Sequence, residues 1–237
     1  MYHGDDYSLD VTQARAQAAS AFLAKVFNRM AAGLALTGIT ALAVVRSPAA
    51  LQFIFGNRFV FYGLLVVELG LVVYLSARVA KMAATTATTL FLLYAVLNGV
   101  TLSSILLLYT GTSIAATFFV TAGMFGAMAI YGAVTKKDLS SWGSFLFMGL
   151  IGVVIAGLVN IFLQSPMVSW VMSGIGVIVF TGLTAYDVQK IRSLGAGAMM
   201  GDGEAGLRKG AILGALTLYL DFVNLFLMLL RFLGDRR

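Results

Sequence analysis

Three acidic side chains, Glu68, Asp187 and Asp221, interrupt stretches that are otherwise almost wholly apolar. An ionisable group at the centre of a membrane helix costs about 2.5–3.5 kcal/mol on insertion scales, so each of the three needs a compensating role. Two carboxyl groups brought together in a low-dielectric site cannot both ionise cheaply, and such a pair titrates as a unit. It is a proton-sensitive latch. Its oxygens would also suit a hard cation such as calcium, for which carboxylates are the natural protein ligands.

The three acids differ in setting. Asp221 lies about ten positions into its apolar run, roughly 15 Å deep at 1.5 Å per residue. Asn224 follows one turn later and Tyr219 is close by, so both are expected local hydrogen-bond partners. Glu68, in the middle of its run, has no such partner in its own helix. It should face the bundle interior and pair with another span, or carry a proton. Asp187 also fits a plain helix terminus, because Lys190 and Arg192 follow it. For Asp187 and Asp221 to meet, the sixth apolar run would have to continue as helix towards Arg192, or its neighbour start later. Arg78 and Arg231, near the ends of runs, can snorkel to lipid headgroups.

The elements carrying these residues are membrane spans. Of 237 residues, 60% are hydrophobic and only 11% charged, and the mean hydropathy is +0.94. A soluble domain could not cover its core with so little polar surface. Two prolines and 26 glycines suit closely packed membrane helices. Apolar runs long enough to cross about 30 Å of hydrocarbon fall at residues 30–45, 59–75, 83–109, 114–134, 142–163, 167–186 and 211–230. The expected fold is therefore an all-α bundle of seven transmembrane helices, residues 26–237, preceded by a polar N-terminal tail, residues 1–25. That tail lacks the basic-then-apolar order of a cleaved signal peptide. The connector 189–210 is expected to be a solvated loop. Its Gly201-Asp202-Gly203-Glu204 lacks the regular oxygen ligands of a calcium-binding loop.

Several chemistries find no residues to support them. There is no cysteine, and the single histidine, His3, lies in the tail, so neither thiol nor histidine-zinc chemistry is expected in the bundle. No P-loop lysine or Gly-x-Ser-x-Gly elbow is present. No enzyme activity, cofactor or nucleic-acid partner is expected; the net charge of +6 sits at the ends of apolar runs rather than on an aromatic-interleaved patch. With the N-terminus placed in the cytoplasm, eleven Lys and Arg side chains fall inside and five outside, the bias that orients inner-membrane proteins. An odd number of spans then puts the C-terminus outside, against which the basic Arg231, Arg236 and Arg237 argue mildly; a re-entrant last helix would keep both ends inside.

Thr181-Gly182-Leu183-Thr184-Ala185-Tyr186-Asp187-Val188-Gln189-Lys190-Ile191-Arg192 resembles the signature of the Bax inhibitor family, and Gly210 to Phe226, ending in Leu229-Leu230-Arg231, resembles that family's last helix. The resemblance implies a last helix at the centre of the other six and a pH-governed calcium leak of a bacterial-type inner membrane. Asp187 and Asp221 match its paired aspartates, as sensor and as candidate calcium ligands. Glu68 and Arg78 match an acid and an arginine on its second helix, with Arg78 latching the closed state against Asp187. The permeant species would be calcium, with protons as the signal and the lipid bilayer as surroundings.

Three other readings use the same residues. An intramembrane aspartyl protease would explain Tyr186-Asp187, but Leu218-Tyr219-Leu220 precede Asp221 where a Gly-x-Gly-Asp motif is required. A proton-coupled solute carrier would use the same acids, although no pair of Gly/Pro-broken spans announces an inverted repeat. A non-transporting membrane regulator that binds a membrane protease or another partner is the third.

Overall fold

The computed structural model describes residues 4–197 and 203–237. Among them the chain forms eight α-helices: α1 (Gly4–Val45), α2 (Pro48–Phe55), α3 (Arg58–Arg78), α4 (Ala84–Leu108), α5 (Gly111–Val134), α6 (Ser140–Leu163), α7 (Pro166–Gly197) and α8 (Gly203–Leu233). All but the short α2 are long and apolar enough to cross a membrane, giving seven spans. The chain is an all-α membrane protein.

Local sequence sets the helix ends. The Ser47 hydroxyl accepts from Ala50 N at 3.3 Å, and Pro48 supplies a first-turn residue with no N–H to satisfy. Asn57 caps α3 by accepting from Phe59 N at 2.9 Å, and Thr110 caps α5 by accepting from Ser113 N at 3.3 Å. The turn between α6 and α7 is tight: Gln164 closes α6 in the left-handed region at φ 49°. Asn160 staples that turn, accepting from Ser165 N at 3.0 Å and donating to the Ser169 hydroxyl at 2.7 Å.

Two boundaries differ from the sequence reading. The polar segment before residue 26 is not a detached tail, because helix runs unbroken from Gly4 into the first span. Its alanine-rich stretch favours helix, and Ala19, Phe22, Leu23 and Val26 are buried against the bundle. The sixth span continues past residue 186 to Gly197, and the last helix begins at Gly203, so most of the expected 189–210 loop is helical. Phe22 fills the space beside Gly195, where a Cβ would come within 2.9 Å of it, joining the extension of α7 to that of α1. Gly201 and Asp202 of the glycine-rich motif lie outside the described residues.

With lipid tails as apolar as the side chains, helix association depends on close packing and polar contacts. A Cβ on Gly132 would stand 2.2 Å from the Ala185 carbonyl oxygen, and one on Gly99 would stand 2.5 Å from the Thr37 carbonyl oxygen. These glycines let α5 approach α7 and α4 approach α1. The last helix is the most buried span, 61% of its most apolar stretch against 11% for α3 and for α6. Its extensive neighbours are α1, α4, α5 and α7, while α3 packs on α4 and α6 on α7.

The last helix crosses the whole bundle, with no re-entrant turn. Its end is pinned beside the turn joining α4 and α5: Thr110 N donates to Asp235 O at 3.2 Å, Arg237 N to Leu108 O at 3.0 Å and Asp235 N to the Ser113 hydroxyl at 2.9 Å. Seven crossings thus leave the two ends of the described chain on opposite faces.

Candidate functional site: a carboxyl pair and a mid-membrane polar cluster

Asp187 and Asp221 meet. Because α7 continues beyond Asp187, its side chain lies beside α8, and the two carboxyl groups are within hydrogen-bonding contact. Asp221 is buried at 5% exposure, whereas Asp187 is half-buried. Asp221 Oδ2 is buried with no hydrogen-bond partner among the described residues. Its expected local partners are engaged elsewhere. Asn224 donates to Leu220 O at 2.8 Å, and Tyr219 bonds to Asn98 and Thr37. Asp221 therefore depends on Asp187, across a helix pair rather than along one helix.

Lys190, one turn after Asp187, is the cation whose charge acts on that carboxyl. Arg78 is not. It stands exposed at the end of α3 and makes no ion pair with Asp187 in this structure. The chain's run from Arg78 through a 3-10 turn, Val79–Lys81, is held instead by Lys209 of α8, which donates to Ala80 O at 3.0 Å.

The neighbouring residues fix the frame around the pair. Gly132 and Gly143 bring α5 and α6 against Ala185 and the Tyr186 ring. Gln189, one turn beyond Tyr186, accepts from Leu139 N at 2.9 Å and donates to Lys137 O at 2.8 Å, clamping the loop between α5 and α6. In that loop Asp138 accepts from Ser140 N at 2.9 Å, and its hydrogen bonds to Ser140 hold its carboxyl below the ordinary value of 3.8. A lowered carboxyl contributes stability above its unfolded value and loses it as the pH falls through the folded one. Its titration therefore lies in the acid range below the ordinary carboxylate value, leaving any response near neutral pH to other groups.

Glu68 lies in a separate cluster. It is buried at 7% exposure in mid-α3 and faces span three, where Asn98 Nδ2 donates to its Oε1 and Thr101 donates to its Oε2 at 3.0 Å. The chain continues inward: Tyr219 donates to Asn98 Oδ1 at 3.1 Å, and Thr37 Oγ1 is 2.7 Å from the Tyr219 hydroxyl. Four spans are tied together at one level. Phe91 and Tyr94 press edge-on against the Tyr219 ring, each with ring centres 5.8 Å apart. The sequence reading anticipates a partner for Glu68 on another span; Asn98, the lone amide in its apolar run, was the available signal for which one.

Two carboxyls alone are too few oxygens for a complete calcium site, and no group of three or more acidic, histidine or cysteine side chains gathers among the described residues. The pair can share a proton, repel when both members ionise, and offer oxygens to a passing cation.

A family model described as "Inhibitor of apoptosis-promoting Bax1" matches residues 19–237. The inner membrane protein YbhL of Escherichia coli K12 is 53% identical over 216 residues, covering 91% of this chain and 92% of that protein. A protein of Borreliella burgdorferi is 45% identical over 231 residues, covering 97% of this chain and 99% of its own. A membrane protein of Streptococcus pyogenes is 36% identical over 217 residues, covering 90% and 92% respectively.

Proposed function

The chain belongs to the Bax inhibitor family, and on that premise we propose that it is a pH-sensitive calcium leak of the bacterial inner membrane, gated by Asp187 and Asp221. The observation that carries this reading is the contact between the two carboxyls across α7 and α8, with one Asp221 oxygen buried and unpartnered. With one proton between them the pair bridges the two helices. When both ionise they repel, and α8 moves away from α7 to open a polar path. Calcium competes with the proton for the same oxygens. No covalent chemistry is involved, and the protein acts without a cofactor.

The inner-membrane location follows the name of the Escherichia coli relative and the seven spans. The N-terminal face is cytoplasmic, because eleven basic side chains lie on it and five on the other. Arg78, exposed at the end of α3, is unpaired with Asp187 in this state, and its latch belongs to another state of the gate.

Calcium entry into dye-loaded proteoliposomes, followed between about pH 5 and 8 around the titration of a coupled acid pair, tests this reading. Flux that rises as the pair ionises is the expected result. No flux at any pH, with the protein shown to be inserted and helical, would overturn it and leave a regulator of another membrane protein or a solute carrier.

A further inference from the structure

We infer that Glu68 is a second proton-binding site, and that its occupancy reverses the direction of the hydrogen-bonded chain running from Glu68 through Asn98 and Tyr219 to Thr37. This rests on the cluster's own geometry and does not require the aspartate gate.

The chain can be satisfied in two ways. With Glu68 ionised, its two oxygens accept from Asn98 Nδ2 and Thr101 Oγ1, Tyr219 donates to Asn98 Oδ1 at 3.1 Å, and Thr37 donates to the Tyr219 oxygen at 2.7 Å. With Glu68 protonated, its new O–H needs an acceptor, and turning the Asn98 amide by half a revolution supplies one, because amide oxygen and nitrogen exchange places. Asn98 Nδ2 then donates to Tyr219, Tyr219 donates to Thr37, and Thr37 donates to the Ala95 carbonyl at 2.9 Å or the Gly33 carbonyl at 3.0 Å. Thr101 can turn its hydroxyl hydrogen from Glu68 to the main-chain carbonyl of Asn98, 3.0 Å away. One proton arrives from water and forms one O–H bond; every other hydrogen stays on its own heavy atom and only changes direction.

The far end makes the reversal permissible. Without a carbonyl beside Thr37 the last hydroxyl would be left with no acceptor, and a buried unpaired group would oppose protonation. Tyr219 belongs to the last helix, two residues before Asp221, so the state of the exposed span α3 is reported on the most buried one.

Among the described residues no cation holds Glu68 ionised. From α4 and α8 the titratable groups that sense its charge are Tyr94 and Tyr219. From α2 there is none, Lys81 closes the 3-10 turn beyond α3, and Arg58 and Arg78 occupy the two ends of α3 itself. The bonds from Asn98 and Thr101 are thus what stabilises the charged form, and the reversed chain is what stabilises the neutral one.

Infrared difference spectra on acidification, taken on reconstituted Asp187→Asn/Asp221→Asn protein so that the aspartate pair is silent, provide the test. The expected result is a carboxyl band at the high frequency of an acid shielded from water, lost in Glu68→Gln and kept with a shifted midpoint in Tyr219→Phe. Thr37→Val, which removes the terminal hydroxyl without touching the acid, should shift the midpoint in the same way and serves where Glu68→Gln fails to insert. Absence of a shielded carboxyl band, or a band whose midpoint is the same in Tyr219→Phe and Thr37→Val, would overturn the proposal. A normal calcium response of the protein with both aspartates intact, alongside either failure, would leave the aspartate gate standing.

Discussion

In Asp221→Asn, calcium entry at about pH 8 is expected to fall at least tenfold and to vary little from there down to about pH 5, because the repulsion proposed to open the gate is gone. Two unit charges 4 Å apart interact by about 4 kcal/mol at the effective dielectric typical of protein sites. A two-state equilibrium shifts by a factor of ten for about 1.4 kcal/mol, so losing even half of that repulsion exceeds the stated effect. Asparagine also donates to Asp187 permanently, as a protonated Asp221 would, and so holds α7 and α8 together at every pH. Asp187→Asn is expected to act in the same direction. Asp221 would then stay neutral, since it is buried and its Oδ2 has no partner among the described residues.

The largest loss of stability is expected from Asn98→Leu, by about 3 kcal/mol, read as the midpoint of unfolding in detergent micelles. Single hydrogen bonds between membrane helices average about 0.6 kcal/mol, which would make an ordinary amide dispensable. Asn98 is not ordinary. Its removal strips a donor from the buried Glu68 carboxyl and an acceptor from the Tyr219 hydroxyl, and each orphaned buried polar group costs roughly 1–3 kcal/mol. Asn224→Ala is the contrast, because among the described residues that amide bonds only to the Leu220 carbonyl of its own helix. An equal loss in both variants would mean that the cluster acts as separate bonds rather than as a network.

These expectations rest on residues of uneven legibility. The seven spans were readable from apolar run length alone, since 30 Å of hydrocarbon demands about 20 such residues. Their ends were not. Helix α1 begins some twenty-five residues before the apolar run because alanine-rich polar segments remain helical outside lipid, with Phe22 and Val26 as the buried stripe. Helix α7 continues past Asp187 through Lys190 and Arg192, charges that read as a terminus but lie on a 32-residue helix, longer than the about 20 residues a hydrocarbon core requires.

That extension is what allows the two aspartates to meet, so the end of α7 and the composition of the site are decided together. The individual acids stood out because charge in an apolar run is costly. Their partners did not, because a hydrogen bond between spans leaves no periodic trace in sequence. Gln189 illustrates the limit: it reads as the start of a loop, whereas its side chain clamps the turn between α5 and α6.

The central claim is that Asp187 and Asp221 act as one gate, and the most direct test is calcium flux against pH in wild type, Asp187→Asn, Asp221→Asn and the double variant. Coupling predicts that either single substitution removes the pH response and that the double variant loses nothing more, since residues in contact are not additive. Two independent partial losses that sum in the double variant, or a pH profile unchanged in both single variants, would contradict it.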